Sequence, residues 1–166
     1  QDQFDVTEFP FAAAEEKGQA RQHMLTEMRA RHDQDQVALG IYMGNGTFYV
    51  ATLKDTESMA AAAPEASPAW RGLDVSVLHK LVLEGLLKLD EEKMGSADYV
   101  KYVKDMPNAI DELIAQVDAA DSQIAFFINP VKMQQLTEVT ATGERMPHKS
   151  TYFYPKMYTG FTIQKM

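Results

Sequence analysis

The feature that most limits the folds open to this chain is a hairpin signature in its first third. Val37, Leu39, Ile41 and Met43 alternate with Ala38, Gly40 and Tyr42, a second strand-like run covers residues 47–53, and Asn45-Gly46 stands between them. Asn-Gly is the pair that best tolerates the two positive φ angles of a type I′ turn, and alternation on either side of it marks an antiparallel hairpin at 37–53. A two-residue loop sets the register, with Met43 opposite Phe48, Ile41 opposite Val50 and Leu39 opposite Thr52 on one face. Tyr42 and Tyr49 then pair on the other.

Around this hairpin the pattern alternates between strand and helix. Residues 4–9 predict a short first strand ending at Pro10, and the Ala-rich stretch 12–32, with Glu15 and Glu16 early and Arg29, Arg31 and His32 late, suits a helix and its dipole. Residues 55–72, with Pro64 and Pro68, suggest a long surface loop, with Trp70 as a core anchor at its exit. Asp74 then reads as the N-cap of a helix whose buried face is Leu78, Leu81, Val82 and Leu86, with Leu73 and Leu78 forming a hydrophobic staple. Weak alternation at 99–103 suits a strand, and Ile110, Leu113, Ile114 and Val117 have amphipathic helical spacing. The apolar run Ile124–Ile128 reads as a strand buried on both faces. That succession predicts a βαβ unit at 98–129 with a parallel, right-handed crossover. Asn129-Pro130 ends the strand and suits a helix start, Met133, Leu136 and Val139 line the next helix, and Gly143 stops it. Phe161 and Ile163 suggest a last strand. The expectation is one α/β (or α+β) domain over 1–166, with a mixed sheet and helices packed on it.

Charge and composition exclude more than they propose. The chain has 166 residues, 45% of them hydrophobic, and 16 Lys+Arg against 24 Asp+Glu give a net charge of −8. That balance argues against unaided binding to nucleic acid or to an anionic membrane. With no cysteine, disulfides, thiolate metal sites and cysteine nucleophiles are out, and no apolar run approaches the ~20 residues that span a bilayer. The opening Gln1-Asp2-Gln3-Phe4-Asp5 has neither a basic start nor an apolar core, so it is no signal peptide. The chain reads as the C-terminal piece of a longer cytosolic protein.

One block reverses the local charge. Arg145, His148, Lys149 and Lys156 lie within the stretch 143–156, together with Ser150, Thr151, Tyr152, Phe153 and Tyr154. Arg supplies a fork and Lys a point charge for phosphate or carboxylate, hydroxyl groups add donors, and aromatic rings stack on a planar base. Such a block suits an anionic small-molecule site, or equally a solvated loop whose aromatics tuck into the core. Lys149-Ser150 lacks the Gly-rich loop of a phosphate-binding motif. Asn129, at the carboxyl end of a strand, is placed to orient a ligand or simply to cap a helix. His79 reads as a packed or surface histidine, His23 and His32 lack a partner at ligand spacing, and Asp90, Glu91 and Glu92 form a solvated cap region. No metal-ligand pattern stands out, and no cofactor is indicated.

Leu73-Asp74-Val75-Ser76-Val77-Leu78-His79, Ile124–Pro130, and the block Gly143–Lys156 with its Met-Pro-His-Lys-Ser-Thr-Tyr-Phe-Tyr-Pro-Lys core together resemble the C-terminal portion of a prokaryotic family catalogued as domain of unknown function 1015. The resemblance extends over most of residues 37–156. Members of that family carry an upstream Asp-Gly-His-His-Arg-Tyr motif, absent here, and some are labelled similar to a ParB-like nuclease and free-serine-kinase group. The resemblance therefore implies that any catalytic centre sits in an N-terminal part of the same protein, and it brings no established reaction to these residues. Two functions follow as expectations. In the first, the chain contributes a half-site for a nucleotide or phosphorylated metabolite: Arg145, Lys149 and Lys156 bind the anion, Ser150 and Thr151 donate hydrogen bonds, and His148 and Asn129 orient. In the second, it is an interaction domain that self-associates as a homodimer or packs on the N-terminal part. A complete small enzyme ranks third, since no nucleophile–base pair is visible.

Overall fold

The computed structural model of the protein describes residues 3–104, 106–147 and 150. Among these, β1 (Phe4–Pro10), β2 (Ala38–Tyr42), β3 (Thr47–Leu53) and β4 (Ala125–Phe127) form a four-stranded sheet in the order β1-β3-β2-β4. Helices pack around it, so the chain is a mixed α/β protein. The hairpin forms where the alternation puts it, one residue out of the expected register: Tyr42 faces Phe48, Ile41 faces Tyr49 and Leu39 faces Ala51. The turn explains the slip. Positive φ falls on Gly44 (72°) and Gly46 (76°), and not on Asn45, so two glycines shape a longer Met43–Gly46 connection in place of a type I′ turn. Tyr42 consequently turns inward and stacks on Phe48 with ring centroids 4.4 Å apart.

The βαβ expectation is corrected. Residues 100–104 join no ladder, and β4 pairs antiparallel with β2. Every pairing in the sheet is antiparallel, which is the α+β form of the class and not a mixed sheet. A parallel strand needs apolar side chains on both faces, whereas Lys101 and Lys104 would fall on opposite faces of a strand at 99–104. β4 is an edge strand, and Ile128 just beyond it is 40% exposed.

Helix α1 (Ala14–Asp33) lies on one face of the sheet. Its buried Ala20, Met24 and Met28 meet Ala38, Tyr42, Phe48, Val50 and Phe127. Gly40 lets the helix come close: a Cβ there would stand 2.5 Å from the Met28 sulfur and 3.1 Å from Phe127 Cβ. A polar clamp closes the end of this layer, where the Tyr42 hydroxyl donates to Asp118 at 2.6 Å and Lys17 pairs with the same carboxylate. Asp118 ends α6 (Ala109–Asp118), the amphipathic helix expected there.

The opposite face carries Val37, Leu39 and Leu53, covered by Met59 and by Leu78, Leu81, Val82 and Leu83. Here the expected 55–72 loop is instead two short helices, α2 (Glu57–Ala62) and α3 (Pro68–Arg71). The Asp55 carboxylate accepts from the Glu57 amide, and Ser67 caps the Trp70 amide with Pro68 in the first turn. Met59 and Ala63 are fully buried, which a surface loop would not allow. Trp70 is half-buried between two apolar clusters, as an anchor should be.

The following helix also departs from expectation. Its first turn, α4 (Asp74–Val77), begins after Leu73, and residues Leu78–Leu86 wind as a π-helix. The wider i→i+5 winding advances each residue by less than the 100° of an α-helix, so Leu83 takes the buried place and Leu86 emerges 59% exposed. Asp90 caps the short α5 (Glu91–Gly95), in line with its reading as a cap. The last described helix, α7 (Met133–Ala141), starts after Lys132, and Gly143 follows its end with φ 80°. The expected strand around Phe161 and Ile163 lies outside the described residues.

Candidate functional site

Three stretches far apart in sequence meet at one corner: the α3–α4 junction, the loop after β4, and the segment leaving α7. Leu73, Val75 and Val139 are buried together, with Ala69, Trp70, Val131 and Met146 packed against them. Glu144 clips the last segment down. Its carboxylate accepts from the Ser67 amide at 2.8 Å and from the Thr142 hydroxyl at 2.7 Å. The Ser67 hydrogen bonds hold the Glu144 carboxyl below the usual range, with Thr142 and the Arg71 charge adding to the effect.

Asp74 sits at the centre of this corner and is 7% exposed. It does not cap the helix. Its Oδ2 accepts from Asn129 Nδ2 at 3.0 Å and, more weakly, from the Asn129 amide at 3.4 Å. Burial pushes the Asp74 carboxyl up to about 6 against the opposing pull of the Asn129 bonds and the Lys132 charge. A carboxyl of that kind can hold or release a proton near neutrality, and such groups concentrate at functional sites. Two further atoms here want partners. Arg71 Nε and Ser76 Oγ are buried and make no hydrogen bond among the described residues. An enclosed, unsatisfied polar group costs about 1–3 kcal/mol, which sets these two atoms apart from the paired polar groups around them.

The candidates read from the sequence divide three ways. Asn129 is no helix cap, because α7 starts beyond it; its amide is committed to Asp74 and to the Ala38 carbonyl at 3.3 Å. The Asn-Pro pair looked like a local helix start, but a tertiary acceptor captured the side chain. Arg145 is exposed between two anchored neighbours, Glu144 and Met146. Ser150 turns back, its hydroxyl donating to the Pro147 carbonyl at 2.7 Å. His148, Lys149, Thr151 and Lys156 lie outside the described residues, as do Tyr152, Phe153 and Tyr154. Sequence reasoning missed Arg71 and Ser76, and took Asp74 for a cap. The available signal was one carboxylate and one hydroxyl inside the otherwise apolar Leu73–Leu78 run.

Two histidines lie in packed surroundings of their own. His79 is half-buried, with Tyr102 edge-on and its hydroxyl 3.3 Å from Nε2. Burial, with the Lys132 charge, holds the His32 ring below its usual value. Two open grooves of about 230 and 410 Å³, one between α1 and the start of α6 and one beside Lys80–Glu91, share no lining residue with the Asp74 corner. Among the described residues no three His, Asp or Glu side chains are grouped to hold a metal ion, and no helix is long and apolar enough to cross a membrane. Comparison with protein-family models, curated proteins and solved structures gives no match.

Proposed function

We infer that this chain contributes one wall of a binding site for an anionic small molecule, a nucleotide or phosphorylated metabolite, within a larger cytosolic protein. The observation that carries the reading is Arg71: a guanidinium N–H that is enclosed and has no acceptor among the described residues, close enough to Glu144, the neighbour of Arg145, to act on its charge. A buried donor of fixed charge asks for an anionic oxygen. In this reading Arg71, Arg145, Lys149 and Lys156 bind the anion, Thr151 adds a hydroxyl contact and His148 orients it, while Ser150, its hydroxyl given to the Pro147 carbonyl, shapes the turn. Asn129 holds Asp74 and thereby the shape of the corner. The meeting of Leu73–Val75 with Asn129 and Val131 and with Glu144 and Met146 at one place supports treating these segments as one unit, as the resemblance to the domain of unknown function 1015 implies. Binding without chemistry is the role assigned.

The test is thermal stability against nucleotides, phosphosugars and phosphoamino acids, with and without magnesium. A ligand at about 100 times its Kd should add ~2.7 kcal/mol. The shift should disappear in Lys149→Ala and shrink in Arg71→Gln. Absence of any shift overturns the reading, and a shift that both variants retain moves the site elsewhere.

A further inference from the structure

β1 ends the sheet, paired only with β3, and its outer row of backbone N–H and C=O groups has no strand partner among the described residues. It is open on both faces: Asp5, Val6, Thr7 and Glu8 are all exposed, Val6 by 56%. A bare edge of this length is a template for another strand. Elsewhere the same chain carries a segment with backbone outside any sheet. Tyr99–Lys104 forms no ladder, starting from a turn in which the Tyr99 and Val100 amides donate to the Ser96 carbonyl, and it exposes Tyr99, Tyr102 and Val103 by 60%, 41% and 40%.

The two segments match in one antiparallel register. With Lys101 opposite Glu8, Lys104 falls opposite Asp5, Val103 opposite Val6, Tyr102 opposite Thr7 and Val100 opposite Phe9. Both charge pairs are then opposite in sign, and the exposed valines cover each other. Glu8 has no ion-pair partner among the described residues, while Asp5 has only a loose one in Lys54 at 3.4 Å. Pairing of β1 with a second β1 about Val6 and Thr7 would instead set Asp5 against Glu8, like charge on like charge. The edge therefore discriminates against itself and in favour of the basic segment.

We propose that β1 of one copy of this chain receives the Tyr99–Lys104 segment of a second copy as an added antiparallel strand. The segment is tied to α6 by Lys101 and Gln116, 3.3 Å apart, and α6 packs beside β4 at the far edge of the sheet from β1. Donor and acceptor surfaces thus differ, and the contact is head-to-tail. This surface is independent of the anion corner.

Sedimentation across a concentration series tests it. The wild-type chain should gain mass with concentration. Glu8→Lys, a change at an exposed position, should weaken association about tenfold, and adding Lys101→Glu to it in the same chain should restore association. Monomer mass up to millimolar concentration overturns the proposal. So does association that Glu8→Lys leaves unchanged, or that the double variant fails to recover, which would point to another face or another partner.

Discussion

Replacing Asp74 by asparagine removes a buried ionisable carboxyl while keeping a carbonyl oxygen for Asn129. In the unfolded chain this group releases its proton near 3.8, and in the folded chain near about 6. Between those values the folded state binds the extra proton, so the contribution of Asp74 to stability falls as pH rises from about 4 to 6 and stays lost above. Two pKa units at 1.36 kcal/mol each come to about 3 kcal/mol, and because the side chain is 7% exposed, solvent screening discounts little of it. Asp74→Asn should therefore stabilise the chain at pH 7.5 by up to about 3 kcal/mol, each kcal/mol being worth about 2–4 °C in Tm for a chain of this length. At pH 3.5 the native group is already neutral, and the difference between variant and wild type should vanish. Urea unfolding of both at the two pH values measures it, and taking the difference cancels every other titrating group. A variant less stable than wild type at pH 7.5, or a gain of equal size at both pH values, would refute the argument.

Two changes probe the same physics from other sides. Asn129→Ala removes the side-chain donor of the Asp74 carboxylate, leaving only the weaker backbone amide bond, and should cost about 1–3 kcal/mol at pH 7.5, with a smaller loss at pH 3.5; equal losses would mean that the bond to Ala38 carries the effect. Gly40→Ala drives a methyl group against the Met28 and Met24 sulfurs and Phe127 Cβ, and overpacking of that kind should lower stability by about 1–3 kcal/mol, read from a chemical-unfolding midpoint; an unchanged midpoint would show that the methionine side chains swing aside at no cost.

Where structure follows from neighbours in sequence, it was legible. The strands flanking Asn45, helix α1 and helix α6 depend on alternation or periodicity within one segment, and each stands where its pattern puts it. The register was harder, because Gly44 and Gly46 bracket Asn45 and two loops of different length satisfy the same residues. Strand order was not legible: whether β4 runs parallel or antiparallel to β2 depends on which sheet edge is left open by β1, a relation between residues over a hundred positions apart. The site failed for a related reason. Asp74 and Asn129 each match a helix-capping pattern with their own neighbours, and nothing local reveals that the two side chains find each other instead. The same local reading passed over Arg71, whose buried Nε is a property of the folded chain and not of its neighbours in sequence.

The central place of β3 between a close neighbour and a distant one sets an order on how the sheet comes apart. β2 reaches β3 through the short Met43–Gly46 connection, and hairpins of that kind close in about 1–10 μs. β1 reaches it only across the whole of α1. With little apolar surface held down, β1 belongs to the shallow end of the opening spectrum: it can peel away while the hairpin and the layers over it stay closed. Amide exchange along Phe4–Pro10 would then report a low-energy partial opening, distinct from the global event that the β2–β3 amides see. The strand that offers an edge to other chains is thus also the first to let go of its own.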